Sequence, residues 1–208
     1  YGYRALLKQS LDEILDKELD PALMKDAVEC KLFGIGSESF VVGSHEFYLS
    51  YAVKNNMMLC IDAGHFHPTE VVGDKISSVF QYVDELLLHL TRGVRWDSDH
   101  VITMNDDTVL IAQELNRMNA YDKVNIGLDF FDASINRIGA YVSGIRASQK
   151  SILFALLEPT SQLRKYEENG EWFERMAMLE ELKTKPFGAV WDYYCLKNAV
   201  TVTYAYIG

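Results

Sequence analysis

Basic residues are under-represented in this 208-residue chain: 20 Lys and Arg stand against 30 Asp and Glu, for a formal charge of -10. A surface that binds a phosphate backbone needs a concentration of Lys and Arg, and none occurs. Nucleic acid is therefore excluded as a partner, and a small molecule or a metal cation is expected. Cysteine is sparse too. Cys30, Cys60 and Cys195 are odd in number and widely spaced, which gives neither a disulfide framework nor a CxxC metal knuckle and suits a reducing cytoplasm. Each lies in or beside an apolar run and is expected to be a small core residue.

Long apolar runs are missing as well. Leu86-Leu87-Leu88-His89-Leu90 falls far short of the roughly twenty residues that cross a bilayer, so no membrane association is expected. The chain opens Tyr1-Gly2-Tyr3 without a basic flank or an initiating Met; no signal peptide is expected, and upstream sequence is. Gly34-Ile35-Gly36 lacks the third glycine of a dinucleotide loop, and no Lys-Ser or Lys-Thr phosphate clamp accompanies it. Nucleotide binding is thereby excluded, and the glycines are expected to let a loop turn beside the site.

What is present is ordinary globular composition, 49% hydrophobic and 24% charged, which rules out disorder. Leu6, Leu7, Leu11, Ile14, Leu15 and Leu19 recur at helical spacing until Asp20-Pro21. The rhythm then changes to short apolar runs that end in an acidic or imidazole side chain. These are Ala27-Val28-Glu29, Met57-Met58-Leu59-Cys60-Ile61-Asp62, Leu86-Leu87-Leu88-His89 with the nearby Val94-Arg95-Trp96-Asp97, and Val124-Asn125-Ile126-Gly127-Leu128-Asp129. Such runs are expected to be buried parallel strands. Helices are expected between them over 44–54, with Ser44 as cap and Asn55-Asn56 as stop, and over 74–82 and 106–118. Strands alternating with helices make an α/β parallel sheet. After Asp129 helices take over, at 133–143, 149–157, 160–168, 171–183 and 187–197, broken by Glu158-Pro159, Asn169-Gly170 and Lys185-Pro186. Residues 199–208 lean towards β structure.

In α/β barrels the loops at the carboxy ends of the strands build the site, so ionisable residues that close several strands converge. Glu29, Asp62, His65, His89, Asp97, Asp99 and Asp129 all stand at or just after such an end. Any one of them alone reads equally well as a helix cap or a surface residue. Together they make a hard oxygen and nitrogen donor set that suits Mn, Mg or Co. Asp62-Ala63-Gly64-His65 sets an imidazole one turn after a carboxylate, and Asp97-Ser98-Asp99 points two carboxylates the same way in extended chain. Lys31 shares the strand face of Glu29, where it would either hydrogen-bond a sugar oxygen or pair with Glu29 or Asp62. His67, in His65-Phe66-His67, is expected not to be a ligand, nor are His45 and His100.

Four runs carry a family resemblance: Glu29-Cys30-Lys31-Leu32-Phe33-Gly34-Ile35-Gly36, Asp62-Ala63-Gly64-His65-Phe66-His67-Pro68-Thr69-Glu70, Val94-Arg95-Trp96-Asp97-Ser98-Asp99-His100, and Gly127-Leu128-Asp129-Phe130-Phe131-Asp132-Ala133-Ser134-Ile135-Asn136-Arg137. The chain resembles L-rhamnose isomerase in these runs, from the first helix to about Cys195. The resemblance implies a (β/α)8 TIM barrel of the xylose-isomerase kind. Residues 1–145 would be its second half, strands 5 to 8, and 146–208 a C-terminal helical extension. It further implies two divalent metals, Mn2+ above all. Glu29, Asp62, His89 and Asp129 would hold one, and His65, Asp97 and Asp99 the catalytic one, with Lys31 and Asp129 as catalytic groups. The implied reaction interconverts L-rhamnose and L-rhamnulose by a metal-assisted hydride shift, in a cytoplasmic homotetramer. The family protein is about twice this long, with the strands that clamp the sugar in its first half. The chain alone is thus expected to be inactive. A metal-dependent hydrolase on the same barrel and a non-catalytic metal-binding fragment are the rival readings.

Overall fold

The computed structural model describes residues 2–17, 19–31, 41–94, 96–132 and 134–203, with 96–98 described in backbone only. Four strands form one all-parallel sheet in the order β1 (Ala27–Glu29), β2 (Met58–Asp62), β3 (Leu86–His89) and β6 (Val124–Gly127). This is the α/β parallel sheet that the alternating runs predict. Period-two alternation explains its two faces. Val28, Leu59, Ile61, Leu86 and Leu88 fall on one face and are buried in the main hydrophobic cluster with Tyr51 and Ala52 of α2 (His45–Asn55), Ile76 of α3 (Val72–Val79), and Ile111 and Leu115 of α4 (Asp106–Met118). Glu29, Cys60, Asp62, Leu87, His89 and Gly127 fall on the other.

The helices start and stop where local chemistry says they should. Ser44 caps α2 by accepting the Phe47 N–H, and Asn105 caps α4 by accepting the Thr108 N–H. Both helices end on an asparagine in the left-handed region, Asn56 at φ 51° and Asn119 at φ 52°, a conformation that asparagine tolerates better than most residues. The first helix, α1 (Gly2–Leu15), buries no residue fully and rests Leu11 and Leu15 against the core.

Two elements differ from the sequence-based expectation. Val94 and Trp96 do not extend a buried parallel strand. They belong to an antiparallel ribbon, β4 (Arg92–Val94) with β5 (Trp96–His100), that forms its own two-stranded sheet. Four consecutive polar residues, Asp97-Ser98-Asp99-His100, follow Trp96, and a strand buried on both faces needs a continuous apolar run. The helices expected at 133–143 and 149–157 are one helix, α5 (Arg137–Leu156). Its middle, Gly144 to Ser148, carries no proline, and the Ser148 hydroxyl is absorbed by the Gly144 carbonyl at 2.9 Å. Asn136 caps the start by accepting the Gly139 N–H, while Ala133 lies outside the described residues.

The helical tail follows as α6 (Thr160–Asn169), α7 (Trp172–Leu182) and α8 (Phe187–Lys197). Residues 199–203 form no strand; Arg146 of α5 donates to the carbonyls of Thr201 and Val202 there. Residues 204–208 and the Gly34-Ile35-Gly36 loop lie outside the described residues. Among the described residues no helix is long and apolar enough to cross a membrane.

Candidate metal centre

Glu29, Asp62 and His89 close β1, β2 and β3, and Asp129 lies two residues beyond the end of β6. The register pairs Glu29 with Cys60, Asp62 with His89, and His89 with Gly127. Neighbouring residues in a parallel ladder point the same way, so the alternation brings the four ionisable side chains to one end of one face. Gly127 makes room for the imidazole: a Cβ there would lie 3.0 Å from His89 Cδ2.

His89 is the hub. Its Nδ1 lies 2.9 Å from Glu29 Oε1, 3.3 Å from Asp129 Oδ2 and 3.6 Å from Asp62 Oδ2. Asp62 first, then Cys60 and Glu29, push the imidazole up to about 12. Burial drives Glu29 upward, but the hydrogen bond and charge of His89 hold its carboxyl below the ordinary value. The thiols behind the site stay protonated, since burial pushes Cys60 up to about 11 and Cys30 up to about 12. Cys60 Sγ donates to Glu29 Oε1 at 3.3 Å.

His65 sits at the neighbouring corner and is 4% exposed. Its Nδ1 lies 2.9 Å from the Cys30 carbonyl oxygen, which can only accept, so Nδ1 carries a proton and Nε2 is left to face the cavity. Nε2 lies 3.2 Å from Asp99 Oδ1, 3.1 Å from Lys31 Nζ and 3.9 Å from Asp62 Oδ2. Asp99 is in turn tethered through its backbone, because the Phe131 N–H donates to its carbonyl at 2.9 Å.

Asp62 is fully buried and belongs to both corners. Its Oδ1 accepts from the Thr91 hydroxyl at 2.5 Å and the Gly64 N–H at 2.6 Å, whereas Oδ2 accepts no hydrogen bond among the described residues. The ligand atoms of Glu29, Asp62, His89 and Asp129 lie within 4.8 Å of one another, as do those of Asp62, His65 and Asp99, and those of Glu29, Cys60 and His89. An orphaned buried carboxylate oxygen amid hard donors fits a divalent cation, which would complete its coordination.

The L-rhamnose isomerase family model matches residues 1–208. The chain belongs to the L-rhamnose isomerase family. It is 56% identical over 198 residues to the L-rhamnose isomerase of Klebsiella pneumoniae, covering 95% of this chain and 47% of that protein. Against that of Bacteroides thetaiotaomicron it is 57% identical over 200 residues, 96% of this chain and 47% of the relative. Against that of Salmonella typhi it is 56% identical over 195 residues, 94% and 46%. The chain thus spans about half the length of the curated L-rhamnose isomerases it matches, in their C-terminal part. The four-stranded sheet is accordingly a partial barrel.

Among the residues singled out in sequence, Glu29, Lys31, Asp62, His65, His89, Asp99 and Asp129 are brought together. Asp97 lies in β5, and its side chain is outside the described residues. His67 is exposed and bonds Thr69 Oγ1 at 2.7 Å, and His45 packs edge-on against Phe66. Cys60, expected only as a small core residue, and Thr91, not singled out in sequence, also reach the cluster. Period two was the available signal for both, Cys60 lying two residues before Asp62 and Thr91 two after His89.

Proposed function

We propose that the complete protein carrying this chain interconverts L-rhamnose and L-rhamnulose, an aldose and its ketose, with two divalent ions held at the strand ends. What supports this reading is one observation above others. Acidic and imidazole groups from four adjacent strands share a single face and end, in a member of the L-rhamnose isomerase family. Glu29, Asp62, His89 and Asp129 would hold one ion, and His65, Asp97 and Asp99 the other. Bound there, such ions would supply Lewis acidity to neighbouring oxygens of an open-chain sugar, the chemistry that a hydride shift between C2 and C1 needs.

The remaining work falls to the chain's own groups. The Cys30 carbonyl keeps His65 in one tautomer, and the Phe131 N–H holds the backbone of Asp99 beside it. Lys31, whose ammonium lies 3.1 Å from His65 Nε2, donates to a sugar oxygen and offsets charge that develops there. Asp129, at 63% the most exposed carboxylate of the cluster among the described residues, holds a sugar hydroxyl proton. Mn2+ as the ion, a homotetramer and a cytoplasmic setting belong to the same reading. Three free buried thiols suit a reducing compartment, and exposed Trp172, Phe173, Tyr193 and Leu196 on α7 and α8 suit subunit contact.

The experiment is an aldose-to-ketose assay on the complete protein, with Asp99→Asn beside the wild type at limiting Mn2+. Wild type converts L-rhamnose and loses activity to a chelator, while Asp99→Asn loses turnover far more than stability. Turnover near wild type in that variant refutes the site.

A further inference from the structure

The two oxygens of Asp62 are treated differently, and the one side chain that contributes to the difference, Thr91, stands two residues past the end of β3. Asp62 pairs with His89 in the ladder, and Thr91 follows His89 by two residues, so its hydroxyl points to the side on which Asp62 lies. Thr91 is 2% exposed, and a buried β-branched side chain has little freedom about χ1. Its hydroxyl and the Gly64 N–H together occupy Oδ1, at 2.5 and 2.6 Å. Oδ2 is left as the buried acceptor without a donor among the described residues, between His89 Nδ1 at 3.6 Å and His65 Nε2 at 3.9 Å.

We propose that Thr91 is a positioning residue: by holding Oδ1 of Asp62 it makes Oδ2 the single oxygen that serves both candidate ion sites. This inference rests on the two-ion reading above. A carboxylate free to rotate could give both oxygens to one ion and abandon the other. Pinned through Oδ1, it offers one oxygen at one angle, and both candidate ion sites would draw on that oxygen. Removing the pin loosens the ligand without removing it, and loss of such an outer partner costs metal affinity about 10–100-fold.

The test is Mn2+ titration by calorimetry on the complete protein, as wild type, Thr91→Val and Thr91→Ser, with electron paramagnetic resonance of each loaded form. Wild type takes up two ions and shows the signal of a spin-coupled Mn pair. Thr91→Val keeps the shape of the side chain, so its melting point after chelator treatment stays near wild type. Its Mn2+ affinity falls about tenfold or more and the pair signal is lost. Thr91→Ser, which keeps the hydroxyl, restores both. Wild-type affinity and pair signal in Thr91→Val overturn the inference while leaving the two-ion reading standing. A Thr91→Ser variant as weak as Thr91→Val overturns it too. Failure of the wild type itself to bind two ions brings down both together.

Discussion

Replacing Gly144 by alanine tests how closely α5 approaches the candidate site. A Cβ at this position would meet Phe130 Cζ at 2.5 Å, Phe130 Cε1 at 2.8 Å and Ile102 Cγ2 at 3.2 Å. Carbon atoms prefer about 3.5–4.0 Å, so the Phe130 ring would have to retreat by about an ångström. It has little room to do so, being 6% exposed with its centroid 5.2 Å from that of Tyr141, itself on α5. Overpacking of this kind costs about 1–3 kcal/mol, against a helix-propensity gain of at most about 1 kcal/mol for alanine over glycine. The clash outweighs the propensity gain over most of that range, and a net loss of up to about 2 kcal/mol is expected, read as a melting temperature lower by several degrees. Gly188 in α8 is the control, because a Cβ there meets nothing within 4 Å and Gly188→Ala should cost nothing. Phe130→Leu in the Gly144→Ala background should recover part of the loss. Thermal melts of the four proteins decide the matter. A Gly144→Ala variant that melts at or above wild type refutes the close approach.

Two further outcomes follow from the electrostatics of the cluster. On the proposal that the Lys31 ammonium acts on the sugar, Lys31→Met should lower kcat at least tenfold while leaving bound Mn2+ nearly unchanged; loss of both ions on elemental analysis would show a structural role instead. His89, raised to about 12 from an ordinary 6.5, stabilises the chelator-treated protein fully below about pH 6.5 and ceases to do so as pH rises through about 12. Stability should therefore fall across pH 7–9, by up to about 1.4 kcal/mol per pH unit, while apparent Mn2+ affinity rises over the same window as the proton is displaced. A melting point independent of pH in the chelator-treated protein, or the same slope in His89→Gln, contradicts this account.

The parallel sheet was legible because each of its strands is a short apolar run with an ionisable residue at or just past its end, although Val94-Arg95-Trp96-Asp97 shares that pattern without joining the sheet. The clustering of Glu29, Asp62, His89 and Asp129 followed from the same runs once the strands were taken as neighbours. The ribbon was harder to read. Val94 and Trp96 look apolar enough for a strand of the sheet, and only pairing shows that they face each other in an antiparallel ribbon. Gly144 fell between the two helices expected at 133–143 and 149–157, yet it lies inside α5, where its missing side chain allows close packing against Phe130. Thr91 carried in sequence only its period-two spacing from His89. Its contact with Asp62 crosses from one strand to the next and depends on a register that no local motif states.

That register bears on which genetic changes the chain can absorb. Asp62, His89 and Gly127 occupy one rung of the ladder, and Glu29 and Cys60 the rung two residues before. A substitution at any of these positions removes one group and leaves the others in place. Inserting or deleting a single residue within β2 instead turns Asp62 towards the helix-covered face and Ile61 towards the cavity, and so dissolves every ion-holding combination that includes Asp62 while barely altering composition. The lengths of these strands are therefore held more tightly than their residue types. Tolerance for gained or lost residues is left to the turns at the far end, such as residues 80–85 between α3 and β3, where the chain enters the sheet rather than leaves it.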